Sequence, residues 1–396
     1  MAPATELLDE LIEEIFFRVH PADATTLVRA ALVCKRWCRL IADPGFRRRL
    51  HEHHRVPHML GFSSNIDLTT STLLAHLLYG PQYDTTARFV RTSSCLKHVA
   101  MARSRVVDTH HGRILLLRTV DPGYGYLFVW DPLMKAEHKL PRLPLPSDLT
   151  SWNAAVFCAA AGCDHLDCHG KPFAVVFIAT GKIAKFDILF YSSDQAAGSW
   201  TKETYRPVSQ QHENPSLMLE LEPSVLVGNV LYFLLRANTG ILKYSMGTEE
   251  IHTIDLPLSA RFLGPRVLLT AAEDGGLGFA TVRRSKLYLW SAEGGSEEKY
   301  ERWVQRRAID LNKLLPIGAL ETPPHVVGFA YGVGLIFVKT DSGHFRIDLK
   351  SGWVKKVRSI SGGSIIFPYM SFHAPALGAV AASTVEGPSM MGASSA

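Results

Sequence analysis

Between positions 7 and 50 the apolar residues recur with helical spacing, and beyond position 88 they fall into short alternating runs. In the first part Leu8, Leu11, Ile12, Ile15 and Val19 follow one another at three- and four-residue steps, with Asp9, Glu10, Glu13 and Glu14 on the opposite face. Those acids lie in the first turns of the predicted helix, where they complement the positive end of its dipole. His20-Pro21 interrupts the pattern. Asp23 or Thr25 can cap a second helix carrying Leu27, Ala30, Ala31, Val33 and Cys34, then Trp37, Leu40 and Ile41. Asp43-Pro44-Gly45 is expected to end it, and Phe46 with Leu50 to begin a last short turn. Three short helices in about forty-five residues bury little area, and a unit of that size usually needs a partner.

From Arg88 onward the texture is that of strands. Ser104 to Asp108, Arg113 to Thr119, Tyr126 to Trp130 and Glu137 to Leu140 are separated by turns at His111-Gly112, Asp121-Pro122-Gly123 and Asp131-Pro132, hairpin upon hairpin. Four further sets begin at Phe173, Ser224, Val267 and Val326. Several last strands run into a similar phrase: His138-Lys139-Leu140-Pro141, Thr253-Ile254-Asp255-Leu256-Pro257 and Leu314-Leu315-Pro316. Self-similarity at a period of about forty to fifty residues marks propeller blades, and a closed ring removes sheet edges that would otherwise be exposed. The expected fold is therefore multidomain, α plus all-β: a three-helix unit over residues 1–55, then a β-propeller of about six blades over 101–377. Candidate closing strands are Ile365 to Phe372 and Met59 to Phe62. Residues 56–100 read as a linker and irregular lead-in, Ser/Thr-rich from Ser63 to Thr86, with a brief helical pattern at Leu73, Leu74, Leu77 and Leu78. Residues 378–396 read as a disordered tail. Trp130, Trp200, Trp290, Trp303 and Trp353 are expected to pack in the core or between blades.

The first unit resembles the F-box. Matching residues are Leu7, Asp9 to Ile15, Arg18-Val19, Leu32-Val33-Cys34-Lys35-Arg36-Trp37 and Asp43-Pro44-Gly45-Phe46, of which the Val-Cys-Lys-x-Trp block is the specific part. The repeat resembles the β-propeller associated with plant-type F-box proteins, whose Asp-Pro after an aromatic strand stands here at Asp131-Pro132. The resemblance implies that the F-box docks on a Skp-family adaptor and, through it, a cullin. The propeller would then present a protein substrate, not identifiable from sequence, to an SCF-type ubiquitin ligase. By motif position the adaptor-binding residues are Leu7, Leu8, Leu11, Ile15, Val33, Cys34 and Trp37. The chain departs from the family at Leu8, where proline is common, and at Ile12, where leucine is. Leu8 keeps an apolar contact but lacks the preset backbone angle of proline at a helix start. The alternative is a propeller scaffold whose F-box pairs with the adaptor without directing turnover.

Composition adds exclusions. The apolar share of 47% is that of an ordinary globular chain, and a net charge of +5 without a basic tract argues against nucleic acid as a partner. Arg47-Arg48-Arg49 reads as a solvated helix end. Neither a signal-peptide pattern nor an apolar run of roughly eighteen residues is present, so no membrane partner is expected. Six scattered cysteines suit free thiols in the reducing cytoplasm or nucleus. The densest chemistry is Cys158, Cys163, His165, Cys168 and His169. Zinc takes four such ligands, but Cys-x4-Cys-x-His-x2-Cys-His is not one of the usual paired patterns. Cys158 also continues the strand Ala154-Ala155-Val156-Phe157, where a buried thiol needs no metal. The expectation is an inter-strand loop with incidental thiols and no cofactor. His51, His53, His54 and His58 read as solvated side chains. With no serine elbow, phosphate-cradling loop or helical His-Glu-x-x-His, a non-catalytic protein is expected.

Overall fold

The computed structural model describes residues 8–19, 24–54, 57–67, 85–92, 96–121, 124–145, 148–165, 167–181, 185–195, 198–205, 217–261, 266–293, 302–358, 360 and 365–371. Leu7, the Leu73 to Leu78 pattern, Phe372 and the expected tail lie outside them.

Four helices open the chain, where the sequence pattern predicts three: α1 (Asp9–Phe17), α2 (Ala24–Ala31), α3 (Lys35–Ala42) and α4 (Pro44–His54). The second predicted helix is broken at Cys34, whose backbone is extended and whose Sγ caps α3 by accepting the Trp37 backbone N–H at 3.5 Å. The predicted last turn is instead an 11-residue helix. Pro44 suits a first helical position, where no N–H is needed, and the Asp43 carboxylate accepts the Phe46 N–H at 2.6 Å. The helices close over Ile12, Phe16, Leu27, Ala31, Ile41, Phe46 and Leu50.

Six four-stranded antiparallel sheets follow. Blade 1 holds β1 (His58–Asp67), β2 (Thr85–Arg91) and β3 (Val99–Met101), and blade 2 holds β4 (Ser104–His110), β5 (Arg113–Asp121), β6 (Tyr124–Asp131) and β7 (Ala136–Lys139). Blade 3 holds β8 (Ser151–Cys158), β9 (Phe173–Thr180), β10 (Phe186–Ser192) and β11 (Thr201–Tyr205). Blade 4 holds β12 (Val225–Val227), β13 (Val230–Leu234), β14 (Ile241–Ser245) and β15 (Glu250–Ile254). Blade 5 holds β16 (Val267–Ala271), β17 (Leu277–Arg283), β18 (Lys286–Glu293) and β19 (Arg302–Asp310). Blade 6 holds β20 (His325–Ala330), β21 (Leu335–Thr340), β22 (Gly343–Asp348) and β23 (Val354–Val357).

Blade 1 is completed by the last strand, β24 (Ile366–Ser371), in the order β24-β1-β2-β3. Met59 lies opposite Met370 and Ser64 opposite Ile366. Met59 to Phe62, a candidate closing strand, thus lies in the closing blade as part of the longer β1, while β2 and β3 come from the stretch expected as an irregular lead-in. The polarity of Ser63-Ser64 misleads because both side chains are buried in β1. Pro368 is tolerated because β24 pairs on one side only.

Burial follows radius. Every residue of β9 is buried, which is why FAVVFIAT reads as an unbroken apolar run, whereas the outer strands β7 and β11 are exposed over most of their length. Polar side chains tie one blade to the next. The Asn65 amide exchanges hydrogen bonds with the Val106 backbone at 2.9 and 2.7 Å. Asn153 Nδ2 donates to the carbonyls of Glu220 and Glu222 at 2.7 and 2.9 Å. The Arg266 guanidinium meets Glu222 at 2.6 Å. Two tryptophans do the same further out: Trp200 Nε1 donates to the Pro141 carbonyl at 3.0 Å and Trp303 Nε1 to that of Asp255 at 2.8 Å. Trp353, expected to be packed, is half exposed, with the Arg346 guanidinium 5.3 Å from its ring centre. Among the described residues no helix is long and apolar enough to cross a membrane.

Candidate functional site

Two places carry chemistry that the fold does not consume: the outer surface of the helical unit and the cysteine-rich loop of blade 3. On α1 the apolar residues divide into two stripes rather than one. Ile12 and Phe16 enter the core, while Leu8, Leu11 and Ile15 point outward at 65, 49 and 52% exposure. Val33 (65%) and Leu32 (68%) add to the exposed apolar set from the α2–α3 junction. Leu32 belongs to the motif match but not to the expected contact residues, and its exposure is what singles it out. Leu8 adopts φ −61°, the angle that proline would fix, so the departure from the family leaves the folded backbone unchanged. Trp37 is half buried, edge-on to Phe16 at 5.4 Å, and Cys34 is exposed with its sulfur engaged as the α3 cap.

The second place is the connection from β8 to β9. Cys158 ends β8, Cys163 and His165 stand on the outward run, and Cys168 on the return. One ligand atom from each of these four lies within 4.8 Å of every other. Cys163 Sγ is 3.8 Å from Cys168 Sγ, and Cys168 Sγ is 3.6 Å from His165 Nδ1. The fifth candidate, His169, stands apart: its Nδ1 is 2.6 Å from Asp131 Oδ2 and its Nε2 2.7 Å from Ser371 Oγ. Both ring nitrogens are committed to a bridge joining blade 3 to blades 2 and 1, so His169 is corrected to a structural residue. The other oxygen of Asp131 accepts the backbone N–H groups of Leu133 and Met134, each at 3.0 Å, which accounts for the Asp-Pro at this turn.

The loop is held from below. His111-Gly112 is a two-residue turn with φ of 50° and 73°, the hairpin geometry in which glycine is favoured. The His111 ring stacks on His165 at 4.1 Å, and its Nδ1 accepts the Cys158 N–H at 3.1 Å. Burial, then the nearby His110, lowers the His111 pKa to about 3, which keeps that nitrogen an acceptor. Arg113 donates to the carbonyls of Cys168 and Lys171. Burial, and then the Cys158 sulfur, push the Cys168 thiol up. Burial opposes ionisation of Cys163 too, but hydrogen bonds from the His165 N–H and from Cys158, Lys171 and Cys168 outweigh it, and its pKa is lowered.

Beside this loop lies a cavity of about 450 Å³ that takes residues from every blade and so sits on the ring axis. His110, His111, His165 and Cys168 form one wall, Tyr331 and Met370 another. Beneath it Asp108 is wholly buried, accepting from Val156 N, Ser224 N and Ser224 Oγ at 3.1, 3.2 and 3.1 Å, and burial raises its pKa.

A helical F-box unit followed by a six-bladed propeller defines a class of interaction proteins, and comparison with known families agrees. Residues 9–53 match the F-box-like family, and residues 105–377 match the family described as F-box protein AT5G49610-like, beta-propeller. The second match spans more than half of the chain, and the protein belongs to that family of F-box proteins. No curated protein matched. Similar solved structures include SapL1 lectin in complex with alpha methyl fucoside, at 10% identity and a TM-score of 0.39 over 73% of this chain and 90% of that one. A mutant of AofleA from Arthrobotrys oligospora gives 11% and 0.39 over 74% and 84%. A putative 6-phosphogluconolactonase from Bacteroides uniformis gives 10% and 0.36 over 78% and 98%. Likeness at these levels carries no functional argument.

Proposed function

We propose that this F-box protein is the substrate-recognition subunit of an SCF-type ubiquitin ligase in the cytoplasm or nucleus. Its F-box holds a Skp-family adaptor, and through it a cullin, while the propeller binds a protein target. The observation that carries this reading is the row Leu8, Leu11, Ile15 with Leu32 and Val33, an exposed apolar surface on a unit whose core is already complete. Isolated apolar side chains on a surface are ordinary, whereas several at three- and four-residue steps along one helix face, as Leu8, Leu11 and Ile15 are, mark an interface. The role is non-catalytic: the propeller positions a target while conjugating chemistry takes place on another subunit.

The test is co-purification of the adaptor and cullin with the full-length chain, with and without proteasome inhibition. Ile15→Asp should abolish co-purification without lowering the melting temperature, because Ile15 contributes to no internal cluster among the described residues. Ile15→Ala should weaken adaptor binding by about 2 kcal/mol, roughly thirty-fold in Kd, if it is a central anchor. Partners that accumulate on inhibition would mark turnover, and partners indifferent to it would favour the scaffold reading. Undiminished adaptor recovery with both Ile15→Asp and Val33→Asp would overturn the assignment.

A further inference from the structure

We propose that Cys158, Cys163, His165 and Cys168 form a structural zinc site that fixes the β8–β9 loop at the mouth of the axial cavity. A tetrahedral zinc with Zn–S near 2.3 Å and Zn–N near 2.05 Å has S···S edges of about 3.8 Å and S···N edges of about 3.6 Å. The Cys163–Cys168 separation is 3.8 Å and the Cys168–His165 separation 3.6 Å. That spacing suits a shared metal as well as thiols in van der Waals contact, whereas a disulfide would bring the sulfurs to about 2.05 Å; the convergence of four donors is what points to the metal. All four donor atoms share one small volume, from three thiols and one imidazole. That donor set is a usual one for closed, structural zinc, with no position left for water or substrate.

The surroundings fit the same charge. Binding releases three thiol protons to solvent, and three thiolates with Zn²⁺ leave one negative charge. Lys171 Nζ lies 3.4 Å from Cys163 Sγ, and the His165 backbone N–H donates to that sulfur at 3.4 Å. Lys171 is therefore placed to balance the site. His165 presents Nδ1 from a left-handed backbone, φ 58°. The stack on His111 sets the plane of its ring. Such outer contacts orient ligands in metal sites.

The consequence reaches the propeller face. His165 and Cys168 line the axial cavity, and Asp164, between two of the ligands, is 3.8 Å from Arg48 of α4. A metal would hold one wall of the cavity, and a loop that reaches α4, in a single conformation.

The experiment is elemental analysis of the full-length protein, purified in reductant without a metal-affinity step. About one zinc per chain is expected, falling to near zero in Cys163→Ser and His165→Ala, whereas Cys38→Ser and His169→Ala should retain it. Because loss of a ligand can also disturb folding, cobalt substitution of the wild-type chain gives a second readout: Co²⁺ should produce the intense d–d absorption of a four-coordinate thiolate site. Chelation should lower the melting temperature, and Zn²⁺ but not Mg²⁺ should restore it. Wild-type protein with all six thiols titratable and no metal, a Cys163–Cys168 disulfide in reductant, or full zinc content in both ligand variants would each overturn the proposal.

Discussion

Ile15 and Trp37 carry the same motif weight in the sequence and act in opposite directions in the fold. Ile15 faces out, whereas Trp37 packs edge-on against Phe16. Alanine at Trp37 therefore removes internal packing from a small unit, and lost adaptor binding in that variant would not separate interface from stability. The Ile15 variants do separate them. A second residue-scale effect concerns pH. His344, at the start of β22, is buried, and its Nε2 has no hydrogen-bond partner among the described residues. Burial, then the charge of Lys339 across the β21–β22 pair, hold its pKa below 6.5. As pH falls through about 6.5 the unfolded chain takes up a proton that the folded chain refuses. The stability due to neutral His344 is thus fully present above that pH and is lost below it. Thermal denaturation should show the melting temperature falling between about pH 7.5 and 5, and His344→Leu should flatten the slope. An unaltered slope in the variant would place the pH dependence elsewhere.

At the scale of elements, composition and contact divide the work. The apolar run of β9 follows from burial on both faces, and the charged β11 from its place at the rim, so both strands were legible in the chain. The packing of β20 against β24 was not. A Cβ placed at Gly328 would come within 2.8 Å of Ile366 Cβ and 2.9 Å of its carbonyl oxygen, and the β20–β21 pair bulges there. Glycine marks close approach of another backbone. Gly328→Ala should destabilise the propeller by about 1–3 kcal/mol through overpacking, measured as a lower denaturation midpoint in urea. Wild-type stability would mean that β24 can move outward at little cost. The four F-box helices make the same point: Asp43-Pro44 resembles a stop signal, and only the capping bond to Phe46 shows it to be a start.

For the whole molecule the decisive contact joins residues some three hundred positions apart. β24 supplies the inner strand of blade 1, Thr109 Oγ1 donates to the Pro368 carbonyl at 2.9 Å, and Tyr369 Oη donates to that of Gly112 at 3.1 Å. Truncation after Gly363 removes that strand and should give aggregation or loss of cooperative unfolding, since a bare strand edge recruits other chains. Truncation after Leu377 should leave the melting temperature unchanged; equal, monomeric behaviour of the two would refute closure by β24. The sequence by itself determined the F-box, the period of the strand repeat and the strand that closes the ring, because spacing, turn residues and apolar runs are local properties written along the chain. Tertiary structure alone decided that Leu32 joins the exposed apolar set, that Ser63 and Ser64 continue a buried strand, and that four of five candidate ligands converge while His169 departs to Asp131 and Ser371. Those outcomes depend on what the neighbouring blade or helix places opposite each side chain, and no spacing along one strand encodes that.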